Sequence, residues 1–163
     1  MNELPPLGKA ESPYARTQQV GEILLKGHAI DYPGVKIIAL RYFNPVGSHK
    51  SGLIGELPLN KPSSLFSFTT QTAVGKNKQM MVFGNDYKTR DGSCLRDYIH
   101  VTDIAHAHVK AFQKLKTYDA ACFSVYNLGS GQGVSVFEAI HAFERIAQKK
   151  IKLSDRCKTP WRY

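Results

Sequence analysis

Two spacings of apolar residues alternate along this chain, and together they lay out its elements. Ser12 offers a helix N-cap and Pro13 a first helical position, and Tyr14, Val20, Ile23 and Leu24 form a helical stripe to about Lys26. Gly27 and a turn over residues 31–34 are expected to end that helix. Residues 35–40 form a continuous β-rich apolar run, the pattern of a strand buried in a parallel sheet. Asn44-Pro45 and the glycines at 47, 52 and 55 predict a loop. A helix is expected over residues 64–76, then strands over 79–83 and 95–101 flanking a Gly/Asp-rich loop. Thr102 or Asp103 can cap a helix with its stripe at Ile104, Ala107/His108, Ala111/Phe112 and Leu115. A strand over 122–128 follows. Ser135 and Glu138 then have capping-box spacing ahead of a helix with its stripe at Val136, Ile140, Phe143 and Ala147. This alternation of strands and helices is α/β.

Composition adds bounds. A chain of 163 residues with 42% hydrophobic content can build one modest core. No apolar run approaches the roughly 18 residues that a membrane helix needs. Residues 1–6 lack the basic head and apolar core of a signal peptide. Three cysteines, Cys94, Cys122 and Cys157, share no short spacing. They read as free thiols in a reducing, cytoplasmic setting, and no metal site is expected. The net charge of +9 invites a nucleic-acid reading, but residues 145–163 carry seven Lys/Arg against one Asp, which leaves +3 for the first 144 residues. No recognition-helix pattern accompanies the charge, so neither nucleic acid nor membrane is expected as a partner.

Several residues are candidates for chemistry. Tyr42-Phe43-Asn44-Pro45-Val46-Gly47 leaves a buried strand at its carboxyl end, where ligands gather in open α/β sheets. Arg96 offers a guanidinium fork, which suits a diphosphate, and an Arg96–Asp97 surface pair is the plain structural alternative. Gly129-x-Gly131-x-Gly133 imitates a dinucleotide loop, but its spacing is not that of the Gly-x-Gly-x-x-Gly fingerprint. It reads as a tight strand-to-helix turn. His106 and His108 are two apart on a helix, so they cannot chelate one metal, and His100 reads as structural.

Leu40-Arg41-Tyr42-Phe43-Asn44-Pro45-Val46-Gly47, with Val82-Phe83-Gly84-Asn85-Asp86-Tyr87 and Leu95-Arg96-Asp97-Tyr98-Ile99-His100-Val101, resembles the UDP-glucose (UDP-galactose) 4-epimerases, which are extended short-chain dehydrogenases. The resemblance covers residues 5–151. It implies an α/β chain with a partial Rossmann fold that lacks its first nucleotide-binding repeat, joined to most of a small substrate-binding lobe. The implied division runs as a lead-in over 1–11, a late Rossmann helix and strand over 12–47, mostly substrate lobe over 48–101, and mixed helices and strand over 102–150.

The implied reaction interconverts UDP-glucose and UDP-galactose with NAD as hydride carrier. The resemblance places Tyr42 near the nicotinamide. It assigns Phe43, Asn44, Ser64, Leu65, Met81, Phe83 and Arg96 to the UDP-sugar. Ser64 stands where the family usually has asparagine. Tyr14 aligns with the family's proton-relaying tyrosine. A free phenol ionises near pH 10, so bringing it to neutrality asks for about 4 kcal/mol of help, which a lysine one helical turn on supplies. Gln18 occupies that position and carries no charge. The chain alone is therefore expected to be inactive, and the helix from Pro13 is expected to support a homodimer.

At the other end, Thr159-Pro160-Trp161-Arg162-Tyr163 falls where family members run into Arg-Pro-Gly-Asp. Codons for those five residues, read one nucleotide later, spell that sequence. Residues 151–163 are accordingly expected to hold an out-of-frame tail. Two other readings stay open: a piece of another nucleotide-sugar epimerase or dehydratase, and a non-catalytic basic binding module.

Overall fold

The computed structural model describes residues 7–60, 62, 64–84 and 86–154. Asn85 and most of the expected tail lie outside the described residues. The chain divides into two compact units. One takes it up to Phe43 and again over Thr102–Gly129; the other takes Asn44–Val101 and the chain from Ser130 onward.

In the first unit, α1 (Pro13–Asp31) starts as its sequence predicts. Ser12 is extended and its hydroxyl accepts from the Ala15 amide, with Pro13 in the first turn. The helix runs past Gly27 and ends at Tyr32, whose amide donates to the His28 carbonyl. Strand β1 (Lys36–Tyr42) pairs in parallel with β4 (Cys122–Leu128), from Lys36↔Cys122 to Tyr42↔Leu128. Helix α1 packs against both strands. It does so with small residues, Ala29 among them, and with Glu22, which forms a salt bridge with Arg41 of β1. The predicted apolar stripe points away from that sheet: Ile23 and Leu24 are 63% and 67% exposed. Strand β1 itself is half-buried over residues 36–41 and exposed at Tyr42, rather than buried on both faces.

The second unit holds a three-stranded sheet in the order β2-β3-β5. Strand β2 (Asn44–Val46) lies where a loop was expected and pairs in parallel with β3 (Leu95–His100). Pro45, with no N–H to give, is tolerated because β2 is an edge. Strand β5 (Gly133–Ser135) pairs antiparallel with β3, so the Gly129–Gly133 segment leads into a short strand and not directly into a helix. Residues 79–83 form no strand; Met80 makes one parallel bridge to Leu153. The alternation survives without a ladder, with Met80 and Val82 buried and Met81 and Phe83 exposed.

Helix α2 (Leu65–Ala73) is capped by Ser64, and α4 (Val136–Ala147) by the predicted Ser135/Glu138 box. Helix α3 (Val101–Leu115) begins directly after β3, one residue ahead of the expected caps. The core of this unit gathers Met80, Val82, Phe137, Ile140 and Ile151, with Leu65, Phe68 and Phe143 against it. Each of the larger of these side chains contributes about 1.5–3 kcal/mol by leaving water.

Gly47 closes β2 with φ +83°, and a Cβ there would land in the His100 imidazole at the end of β3. A methyl group would add left-handed strain to a steric clash. Gly47→Ala is expected to destabilise the chain by about 2–4 kcal/mol in urea unfolding, whereas Gly52→Ala, with open space around it, costs only the left-handed strain of about 1 kcal/mol.

Candidate functional site

Strands β2 and β3 bring Asn44, Arg96 and Asp97 together. Asn44 opens β2 opposite Tyr98, and its Nδ2 donates to the Asp97 carbonyl at 3.0 Å. Its Oδ1 accepts from no described residue. Side chains alternate along a strand, so Arg96 and Asp97 leave opposite faces of β3. The Arg96 guanidinium is exposed, donates once to the Leu95 carbonyl at 3.0 Å, and forms no ion pair with any described residue. The surface pair with Asp97, the structural alternative to a ligand role, is not formed.

Asp97 is engaged elsewhere. Its Oδ1 accepts from the Ser130 amide and hydroxyl, both at 2.7 Å, and its Oδ2 from the Gly131 amide at 2.9 Å. Gly131 has φ +76°, which turns two successive amides toward one anion. Burial pushes the Asp97 carboxyl up, but the Ser130 and Gly131 bonds outweigh it and hold its pKa below the ordinary value. The glycine segment is thus an anion nest with its anion already inside.

The other candidates of this unit lie around that sheet. The Phe66 ring, in the first turn of α2, meets Tyr98 of β3 edge-on at 5.3 Å, which brings the start of α2 to β3. There the Ser64 hydroxyl accepts from the Ser67 amide and lies 2.8 Å from the Ser67 hydroxyl, so it is engaged in capping. Leu65 packs on the core. Met81 and Phe83 are 44% and 54% exposed and offer apolar surface.

In the first unit, Tyr14 is 73% exposed in the opening turn of α1, with Gln18 exposed one turn on. Phe43 follows β1, and its amide donates to Leu128. The Tyr42 phenol lies 2.6 Å from His108 Nε2, and His108 Nδ1 lies 2.9 Å from the Ile104 carbonyl. A carbonyl only accepts, so Nδ1 carries a proton, and in the neutral imidazole Nε2 then accepts and the phenol donates. Sequence reasoning had set His108 aside, because nothing local couples it to a strand far back in the chain.

A polar network closes the second unit. Arg90 forms a bidentate salt bridge with Glu138 and donates to the Gly133 carbonyl at 2.8 Å. Asp91 accepts from the buried Ser135 hydroxyl and from the Ser93 amide and hydroxyl. Beside Arg90 and the Ser135 amide, the Glu138 carboxyl is held down at about 2.

A parallel strand pair with a helix against it, followed by a smaller mixed sheet, defines a partial Rossmann-like α/β fold. The chain belongs to the NAD dependent epimerase/dehydratase family, whose model matches residues 1–129. It is 48% identical over 145 residues to a UDP-glucose 4-epimerase from Yersinia enterocolitica, covering 89% of this chain and 42% of that protein. It is 50% identical over 145 residues to UDP-glucose 4-epimerase 2 from Arabidopsis thaliana, covering 88% and 41%. The crystal structure of the Bifidobacterium longum UDP-glucose 4-epimerase in complex with NAD+ and UDP superposes with a TM-score of 0.87 at 38% identity. That match covers 98% of this chain and 49% of the other. The chain thus spans about two fifths of the length of the curated relatives it matches.

The family is NAD-dependent. A dinucleotide pyrophosphate asks for free amides in a glycine loop that opens a helix. Here the Ser130 and Gly131 amides are spent on Asp97, and the start of α4 is closed by Ser135 and Glu138. The described residues therefore do not fit the dinucleotide, and no step through it is derived.

The carboxyls set the acid limit of the fold. Glu138 lies at about 2 against an ordinary 4.5, so its contribution is present above about pH 4.5 and is lost as the pH falls towards 2. Asp91 and Asp97 are lowered in the same direction. Urea midpoints are expected to stay level above pH 5 and to fall between pH 4.5 and 2, with Glu138→Gln showing a lower midpoint at neutral pH and a shallower acid slope.

Proposed function

We propose that this chain carries part of the substrate side of a UDP-glucose 4-epimerase and binds UDP-sugars without turning them over by itself. The observation that carries this reading is Arg96: an exposed guanidinium on the central strand of a sheet, without a carboxylate partner among the described residues and with Asn44 on the neighbouring strand. A diphosphate fits that fork through charge-assisted bonds. Asn44 has an acceptor to give to a sugar hydroxyl, and Met81 and Phe83 offer apolar surface to the base. Phe43, Leu65 and Ser64 complete the assignment, with Ser64 the weakest because its hydroxyl caps α2. Tyr42 is the residue assigned to the nicotinamide. Tyr14 corresponds to the proton-relaying tyrosine of the relatives, and Gln18 leaves it without the cation that would stabilise a phenolate. Cys94 and Cys122, both free thiols, suit the reducing cytoplasm. Among the described residues no helix is long and apolar enough to cross a membrane.

Thermal unfolding with UDP, UDP-glucose and NAD tests this. UDP-glucose at about 100 times its Kd is expected to stabilise the fold by about 2.7 kcal/mol, a shift of several degrees, and NAD is expected to give none. Arg96→Ala is expected to weaken UDP about 10- to 100-fold. Stabilisation by NAD alone overturns the proposal.

Self-association through α1 belongs to the same reading, because Ile23, Leu24 and Ile30 are 63%, 67% and 72% exposed on one helix. Sedimentation velocity is expected to show a dimer that Ile23→Asp with Leu24→Asp converts to monomer. A monomeric parent chain removes this part of the proposal.

A further inference from the structure

We propose that Asp97 determines where an anion can bind in the second unit: it fills the Ser130–Gly131 nest and so leaves Arg96 as the place for a diphosphate. The proposal deepens the UDP-sugar reading and rests on it for the identity of the anion.

Two anion sites flank β3, one filled by Asp97 and the other offered by Arg96, its neighbour on the strand. The first is the pair of convergent amides at Ser130 and Gly131, joined by the Ser130 hydroxyl, with Gly131 at φ +76°. Three donors at 2.7–2.9 Å, two on one oxygen of the carboxylate and one on the other, make a site that would accept two phosphate oxygens as readily as a carboxylate. The second is the Arg96 guanidinium, on the opposite face of the same strand. An external anion meets a filled nest and an available fork. Asp97 cannot leave the nest cheaply. Its backbone is locked in the ladder opposite Gly133, its carbonyl is held by Asn44, and its carboxylate has no other described donor. A carboxylate held in place by the strand ladder also has an effective concentration far above that of millimolar phosphate.

The discrimination is thus built into Arg96-Asp97. The first residue receives the ligand's charge. The second supplies a charge of its own to the competing site, ties the loop after Gly129 to β3, and keeps the Asn44 amide aligned beside it.

The test uses the whole chain labelled with 15N and two probes, inorganic phosphate and UDP. In the parent chain, UDP is expected to shift the Arg96 Nε–H resonance and to leave the Ser130 and Gly131 amides in place. In Asp97→Ala, inorganic phosphate is expected to shift the Ser130 and Gly131 amides, with affinity there at least about tenfold above the parent. Asp97→Asn, which keeps one acceptor oxygen and the size of the side chain, serves if the alanine variant does not fold; it is expected to free the Gly131 amide selectively. Shifts at Ser130 and Gly131 when UDP meets the parent chain overturn the proposal. So does a folded variant whose loop amides ignore phosphate. A parent chain that shows no Arg96 response to UDP overturns the UDP-sugar reading instead, while the phosphate response of the variant still decides the role of Asp97.

Discussion

Strand β3 has to satisfy two hydrogen-bonding patterns at once, and the second unit depends on it. On one side it runs parallel to β2, on the other antiparallel to β5, and its last residue passes directly into α3. Its register therefore sets three things together. Asn44 faces Tyr98, Asp97 faces Gly133, and His100 closes over Gly47. A slip of one residue would exchange the faces of Arg96 and Asp97, placing the guanidinium in the glycine segment and the carboxylate in the open. The strand is short, so side chains add to the specification: the Asp97 carboxylate grips the loop, and the Arg90–Glu138 and Asp91–Ser135 bonds fasten the chain before β3 to the start of α4.

The chemistry of the relatives divides unevenly over these residues. Under the proposed function, the polar contacts to the nucleotide sugar belong to β2 and β3, through Asn44 and Arg96. The Gly129–Gly133 segment offers no free amides to a dinucleotide pyrophosphate, because the Ser130 and Gly131 amides are spent on Asp97. Tyr14 sits at the start of a well-capped helix, but the side chain one turn later is neutral. Under the proposed function, binding and turnover place different demands on the sequence, and the charge missing at Gln18 bears on turnover alone.

Much of this was legible in the sequence wherever the cause is local. Ser12 and Pro13, the Ser135–Glu138 box and the run over Cys122–Leu128 mark their elements through the chemistry of neighbours. The losses fall where the cause is distant. Asn44–Val46 looks like a turn because Asn-Pro usually is one, and it becomes a strand because β3 supplies a partner. Residues 79–83 have the alternation of a strand but pair only through isolated bridges, Met80 with Leu153 among them. The Arg96 candidate could be read from residue type and motif, whereas the engagement of Asp97 with Ser130 could not. The tyrosine-histidine bond at Tyr42 and His108 was hidden for the same reason. Helix α1 shows a subtler limit: periodicity finds an apolar stripe but does not say that its own sheet will decline it.

The two sheets also differ in how they defend their margins. Strand β2 carries a proline in the middle of its three residues, a position that offers an incoming strand no donor. The Lys36–Tyr42 and Cys122–Leu128 pair has no proline and no internal acidic residue, and each strand has a flank that no other described strand covers. During folding that pair is a template as much as a product, able to recruit any extended chain of suitable pattern, its own kind included. The risk of misassembly among the described residues is therefore concentrated in fourteen residues of one unit, while the β2 edge is shielded by a single imino acid.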